Sequence, residues 1–510
     1  MTDGAVRAAR TEARPESGLD FAGLGGGRGA MASLSDLFPG APPRPVAGLA
    51  VDSRAVRPGF AFVAVPGSRA HGQHFVADAL RRGAVAIVAE GERPADLPAE
   101  IAYVPVPDAR RALALGAARL HPGQPEIVVA VTGTSGKSSV ADFTRQIFGR
   151  LGRRSASLGT IGVVTSEGAR YGSLTTPDPI TLHETLDRLA AEGIDALAME
   201  ASSHGIDQRR LDGVRLAAAA FTNLGRDHLD YHGTTEAYLA AKLRLFDTLL
   251  PETATAVVNT DAEVAPAVLE ACAKRGLRVL TVGRAGRDLR LLATERAGFA
   301  QRLRLRVADR DQAVDLPLAG DFQVENALVA AGLVLAALGS ERAEDVIVAL
   351  GGLVGVPGRM ERVGEVRGAL CVVDYAHKPE ALEHVLASLR PFATGRLICV
   401  FGCGGDRDRG KRPLMGAIAA RLADVAIVTD DNPRSEDPAA IRREILAGAP
   451  GAREIGDRAE AIRVAVAEAR PGDVVVVAGK GHETGQIVGD RTLPFSDHAV
   501  LRAAIAAETP

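Results

Sequence analysis

The sequence predicts an α/β protein of three domains, with a central P-loop ATPase-like parallel sheet and a C-terminal Rossmann-like domain. Three features carry that expectation. Strand-length apolar runs alternate with helical patterns through most of the chain, the arrangement of parallel sheets with crossover helices. One run, 127–131, passes through a glycine loop directly into a helix. Breaks at His121-Pro122-Gly123-Gln124-Pro125 and Pro357-Gly358 divide a chain of 510 residues, too long for one typical core. The expected units are a disordered leader at 1–30, a small α/β domain at 31–125, the central domain at 126–357 and the Rossmann-like domain at 358–510.

Residues 1–30 mix Ala, Gly, Arg and acids without periodicity, which argues against a packed core there. The N-terminal domain reads as strand 60–65, helix 75–82 and strand 84–89. In the central domain, 127–131 is continuously apolar, as a strand covered on both faces requires. The helix after it carries Val140, Phe143, Ile147 and Leu151 at helical spacing and stops at Gly152. Thr181 and Glu184 form a capping-box pattern opening the next helix, with Leu182, Leu186 and Leu189 on one face. Strands follow at 194–199 and 216–221, and the apolar run 327–338 reads as a buried helix too short to span a bilayer. Beyond Pro357-Gly358, strands at 370–374, 397–401, 425–429 and 474–478 alternate with helices at 379–389, 412–422, 439–446 and 459–469. Their carboxyl ends form the expected binding edge.

Composition narrows the function classes. Lys plus Arg total 60 against 63 for Asp plus Glu, a net charge of -3 that excludes a globally basic nucleic-acid binder. Aromatics are 4% and Trp is absent, which leaves little for base stacking. Cys272, Cys371, Cys399 and Cys403 form no CxxC pair, so neither a zinc ribbon nor a thioredoxin-type site is expected. Few thiols in a long chain, and no secretory signal pattern, point to the cytoplasm. The expectation is a monomer that takes small-molecule substrates and has neither nucleic-acid nor membrane partners.

The strongest local signal is Thr132-Gly133-Thr134-Ser135-Gly136-Lys137-Ser138-Ser139. Backbone N–H groups of such a turn wrap phosphate oxygens at a helix N-terminus. Lys137 is placed to meet the β- and γ-phosphates of ATP, and Ser138 to offer a hydroxyl to Mg2+. Three further segments end in polar groups on the same sheet edge: Glu200-Ala201-Ser202-Ser203-His204, Thr222-Asn223 through to Asp227-His228, and Thr175-Thr176-Pro177-Asp178. Glu200 and His228 at successive strand ends are candidate ligands for magnesium or manganese. Tyr238, Lys242 and Phe246 lie at four-residue spacing, where residue chemistry alone favours an exposed lysine on a surface helix.

These segments, with Asp230-Tyr231-His232-Gly233, Pro357-Gly358-Arg359-Met360-Glu361, Asp374-Tyr375-Ala376-His377, Asp431-Asn432-Pro433-Arg434 and Gly479-Lys480-Gly481-His482-Glu483, resemble the Mur ligases. Those are the ATP-dependent amide-forming enzymes of peptidoglycan precursor synthesis. The resemblance covers nearly the whole chain after about Leu49, and its last motifs look like the member that adds meso-2,6-diaminopimelate to UDP-N-acetylmuramoyl-L-alanyl-D-glutamate. It implies an N-terminal domain for the UDP-sugar, a central ATPase domain and a C-terminal domain for the amino acid. It implies that Lys242 is carbamylated to N6-carboxylysine and, with Lys137, Glu200 and His228, carries catalysis; Ser138, Glu200, His228 and Lys242 would hold magnesium. Gly133, Thr134, Ser135, Gly136, Lys137, Ser138, Ser139, Asn326, Arg359 and Asp374 would hold ATP. Ser53, Ser68, Arg69, Ala70, Thr175, Thr176, Ser202, Gln208 and Arg210 would hold the UDP-muramoyl-dipeptide. Arg407, Asp431, Asn432, Pro433, Arg434, Gly479 and Glu483 would hold diaminopimelate.

The chain departs from the family pattern at Ser135, at Ser138-Ser139, at Gln323 and at Lys378, where Asn, Thr-Thr, Asn and Thr are usual. The resemblance implies that a carboxylate attacks the ATP γ-phosphate and the acyl phosphate is then taken by an amine. Arg434 carries selectivity, because a guanidinium fork grips the second carboxylate that lysine lacks. The rivals are a lysine-adding ligase of the same family and, from another class, a P-loop switch module that binds ATP and forms no bond.

Overall fold

The computed structural model describes residues 31–67, 71–170, 172, 174–307 and 309–508. The expected leader at 1–30 lies outside them, as do Ser68, Arg69 and Ala70.

Near the N-terminus a four-stranded parallel sheet runs Gly48–Ala50, Phe60–Ala64, Ala86–Ala89, Ala102–Pro105. Next comes an 11-stranded sheet. Its parallel heart is ordered Ser155–Gly159, Ala196–Glu200, Ile127–Thr132, Ala218–Phe221, Thr255–Asn259, Arg278–Gly283. Ile127–Thr132 lies between two strands that both follow it in sequence. That places the glycine loop at a switch in strand order, where open α/β sheets bind ligands. Ile127, Val129 and Val131 enter one core with Phe143, Ile147 and Leu328; Val128 and Ala130 enter another with Leu182 and Leu186. Both faces are therefore covered, as the unbroken apolar run requires.

The third sheet is ordered Glu361–Val366, Ala369–Asp374, Val474–Ala478, Leu397–Phe401, Val425–Val428, Arg453–Glu454, antiparallel only at the first pair. Helix Pro379–Leu389 has the bounds read from the sequence, and Lys411–Leu422, Pro438–Leu446 and Arg458–Ala467 lie within two residues of theirs.

Three expectations change. The helix after Asp178 is not opened by Thr181 and Glu184; Asp178 is its N-cap, accepting from Ile180 N at 3.1 Å and Thr181 N at 3.2 Å, with Pro179 preset for the first turn. The stretch 255–316, for which no strand was expected, holds five strands. The last of these pair as an antiparallel meander fastened by Arg302–Asp315 and Arg306–Asp311. The apolar run 327–338 belongs to a longer helix, Asp321–Leu338, which is long and apolar enough to cross a membrane but has most of its residues in the core beside Lys137–Arg150. All four cysteines are free and buried, and burial pushes their thiols up, to about 11 for Cys272 and about 12 for the others.

Candidate active site

Four residues, 133–136, separate strand Ile127–Thr132 from helix Lys137–Arg150. Gly133 and Gly136 have φ of 144° and 84°. A Cβ on Gly133 would lie 1.9 Å from Thr222 Oγ1, and one on Gly136 2.3 Å from Asn326 Oδ1. Both positions need glycine, and the helix N-terminus behind them suits an anion. Lys137 Nζ donates to the carbonyls of Gly133 (3.0 Å) and Thr134 (2.9 Å), and desolvation pushes its pKa down.

One cavity collects Lys137, Ser138, Glu200, His228 and Lys242 with Thr175, Ser202 and Arg359. Glu200 is 2% exposed at the end of its strand; its Oε1 accepts from Ser138 Oγ at 2.9 Å and Thr160 N at 2.7 Å. His228 has φ 53° and stands edge-on to His204; burial lowers its pKa and favours the neutral imidazole. Lys242 corrects the surface-helix reading. It is 1% exposed, donates to Gly133 O at 2.7 Å and lies 4.4 Å above the Tyr238 ring. Burial, with Lys137 adding to it, pushes its amine down to about 6.

Hard oxygen donors at Ser138 and Glu200 beside a phosphate loop suit magnesium. Among the described residues no three His, Cys, Asp or Glu side chains are poised as a complete cation site.

Thr176 Oγ1 donates to Glu200 O (3.0 Å) and accepts from Ser202 N and Oγ (3.0 Å each). Arg210 donates to Thr176 O at 2.6 Å and to Gln208 Oε1 at 2.8 Å, so these residues form one polar wall. Ser53 stands apart, buried in the short helix Ser53–Ala55 of the N-terminal sheet region.

A second cleft, beyond the glycine loop, is lined by Asn326, Arg359 and Asp374 together with Phe322 and His384, whose rings meet at a tilt of 57°. Both Asp374 oxygens are occupied, accepting from Met360 N and Ala376 N at 2.7 Å, and burial raises its pKa. Asp374 thus braces the turn that presents Arg359, whose guanidinium lies 4.9 Å over Tyr375.

The third cavity, of about 760 Å³, opens at the carboxyl edge of the last sheet. Arg407, Asp431, Asn432, Arg434, Gly479 and Glu483 line it. Pro433 does not; its carbonyl packs against Gly405. Arg434 is held at φ 52°, its Nη1 donating to Gly405 O at 2.8 Å. Cations and carboxylates thus share one pocket, as a zwitterion requires.

Sequence reasoning assigned no role to Thr160, Lys378, Glu380, Lys411 or Lys480. Lys378 and Glu380 line both the second and third cavities, and Lys378 donates to Asp227 Oδ1 at 2.9 Å across the two domains. The available signals were that Lys378 follows Asp374-Tyr375-Ala376-His377 and that Lys480 lies within Gly479-Lys480-Gly481-His482-Glu483; Thr160 had none.

Three family profiles match in order: Mur ligase family, catalytic domain, over 45–121; Mur ligase middle domain over 131–334; and Mur ligase, glutamate ligase domain, over 358–481. The UDP-N-acetylmuramoyl-L-alanyl-D-glutamate–2,6-diaminopimelate ligase of Brucella melitensis is 56% identical over 479 residues, 94% of this chain and 98% of the relative. The enzyme of the same name from Mesorhizobium japonicum is 57% identical over 462 residues, 90% of this chain and 95% of the relative. A solved structure of an enzyme of that name superposes with a TM-score of 0.68 at 34% identity, covering 94% of this chain and 99% of that one. Folylpolyglutamate synthase of Mycobacterium tuberculosis, solved with ADP and AMPPCP, shares the fold at TM-score 0.56 and 19% identity, over 72% of this chain and 92% of its own. With profiles in family order and relatives above one-half identity across nine-tenths of its length, the chain belongs to the Mur ligase family.

Proposed function

We propose that this chain is the ATP-dependent ligase that joins meso-2,6-diaminopimelate to UDP-N-acetylmuramoyl-L-alanyl-D-glutamate. One observation carries the reading: Lys378 and Glu380 belong both to the nucleotide-side cleft and to the pocket of mixed charge, so phosphoryl and amine chemistry share a wall. The names of the two ligases compared above support the same substrates.

The reaction must make a carboxylate electrophilic. A D-glutamate γ-carboxylate oxygen attacks the ATP γ-phosphorus, the bond to the β-phosphate oxygen breaks, and ADP leaves an acyl phosphate. The amine of diaminopimelate then attacks the acyl carbon, phosphate departs, and the nitrogen loses its proton. Bringing an anion to a polyanion makes charge neutralisation the chief demand. Lys137 supplies a cation at the phosphate loop, and the N-terminus of helix Lys137–Arg150 adds its partial positive charge. Magnesium, when bound, would add Lewis-acid neutralisation, held by Ser138, Glu200, His228 and carbamylated Lys242. A largely neutral Lys242 amine is the form that adds to CO2, and loss of a proton then gives the carbamate. Thr175, Thr176, Ser202, Gln208 and Arg210 orient the muramoyl-dipeptide. Asn326, Arg359 and Asp374 serve the nucleotide, Asp374 by bracing Arg359. Arg407 and Arg434 take the carboxylates of the incoming amino acid, and Asp431 and Glu483 its ammonium. We assign the reaction to the cytoplasm, where ATP and the UDP-linked precursor are found, and to a single copy of the chain.

Competition between lysine and diaminopimelate tests the substrate assignment. Preferred incorporation of diaminopimelate is expected; preferred incorporation of lysine removes it.

A further inference from the structure

We propose that Lys480, outside the residues assigned above to substrate, is a positioning residue that sets the geometry of the ammonium end of the amino-acid pocket. This rests on the reading of that pocket given under Proposed function. Lys480 is 0% exposed. An ammonium that far from water needs acceptors for its three N–H groups. It has them: Asn432 Oδ1 at 2.7 Å, Gly485 O at 2.8 Å and Glu483 Oε2 at 3.4 Å, with Asp431 Oδ1 also 3.4 Å away.

The consequence falls on Asn432. Its Oδ1 accepts from Lys480 Nζ and from Ile487 N at 2.9 Å, two groups that only donate. The amide therefore has one orientation, with Nδ2 turned to Glu483 Oε2 at 2.9 Å. Glu483 Oε2 is thus held by both Asn432 and Lys480, while its Oε1 has no hydrogen-bond partner among the described residues and is available to a substrate ammonium. Lys480 also stands between the carboxylates of Asp431 and Glu483. Without it, two anions face each other across the pocket floor and Asn432 Oδ1 keeps only one of its two donors, Ile487 N. Cation, amide and carboxylate act as one preorganised unit, and Lys480 reaches the substrate only through the other two.

Steady-state kinetics of the full-length Lys480→Met variant, with ATP, UDP-muramoyl-dipeptide and diaminopimelate varied in turn, test this. Loss of the charge-assisted arrangement is expected to raise KM for diaminopimelate about tenfold or more. KM for ATP and kcat at saturating diaminopimelate are expected to stay within about twofold of wild type. A residue that merely props the domain would raise all three KM values and lower kcat together; that pattern, or an unchanged diaminopimelate KM, overturns the proposal. If Lys480→Met does not yield folded enzyme, Lys480→Gln, which keeps an amide donor but no charge, is judged on the same split. Wild-type enzyme that forms no amide with diaminopimelate defeats the functional reading before any variant is made. Wild type that does so, beside a variant without the split, defeats this inference alone.

Discussion

Arg434 sits at φ 52°, a conformation unfavourable for a side chain of its size, held by its own N–H to Ile487 O at 3.0 Å. Strain of this kind makes sense where a guanidinium must be aimed. Arg434→Ala is expected to weaken diaminopimelate use by about 1.5–3 kcal/mol, roughly tenfold to over a hundredfold, and to spare ATP. Separate KM measurements check this, and equal losses for both substrates would remove the assignment. Lys242 makes a second prediction. With its ordinary value of 10.5 lowered to about 6, the amine is mostly uncharged at neutral pH and protonated below about 6. Ligation is expected to fall as pH drops through that value, to depend on bicarbonate, and to be nearly abolished by Lys242→Ala; a flat acid limb or an active, unmodified Lys242 would contradict the carbamate. For the unmodified chain, the unfolded state holds this proton up to higher pH, so the lysine costs stability most below about 6 and less as pH rises toward 10.5. Its burial could not be seen from four-residue spacing, because that spacing fixes a helix face without saying what covers it. The Gly133–Gly136 loop was legible because only glycine satisfies its φ and its close approach to Thr222 and Asn326.

Secondary elements were most readable where two signals agreed. Pro379 at the start and apolar residues at helical spacing fix Pro379–Leu389, and the unbroken apolar runs of the last sheet mark strands covered on both faces. Thr181 with Glu184 misled, because an Asp-Pro pair just upstream makes the stronger cap. Asp178→Ala is accordingly expected to cost about 1 kcal/mol of stability, measured by denaturant unfolding, whereas Glu184→Ala is expected to cost little as a cap. The reverse order would restore the capping box. The meander at 289–316 alternates Arg302, Arg304 and Arg306 with Leu303, Leu305 and Val307, a strand pattern with one solvated face. It escapes a search for the continuous apolar runs of parallel strands.

At the scale of the whole molecule, the central and last sheets bring their polar loops to two clefts, and the order of motifs along the chain made that gathering legible before any distance was known. What the sequence left open was contact across the domains. Among the described residues Lys378–Asp227 is the one ion pair joining the central domain to the last, and it holds Asp227 below the usual carboxylate range despite partial burial. Lys378 is about half exposed, so Lys378→Thr is expected to cost no more than about 1 kcal/mol in unfolding experiments, with the difference shrinking at high salt. A larger, salt-independent loss would mean that the pair does more than tether. The central claim is that this gathering of charge activates one carboxylate for one amine. Phosphate release measured with each reactant withheld in turn tests it most directly. The account predicts release only when ATP, UDP-muramoyl-dipeptide and diaminopimelate are all present, in step with tripeptide formed; slow ATP turnover indifferent to the other two, with no new amide, would contradict it.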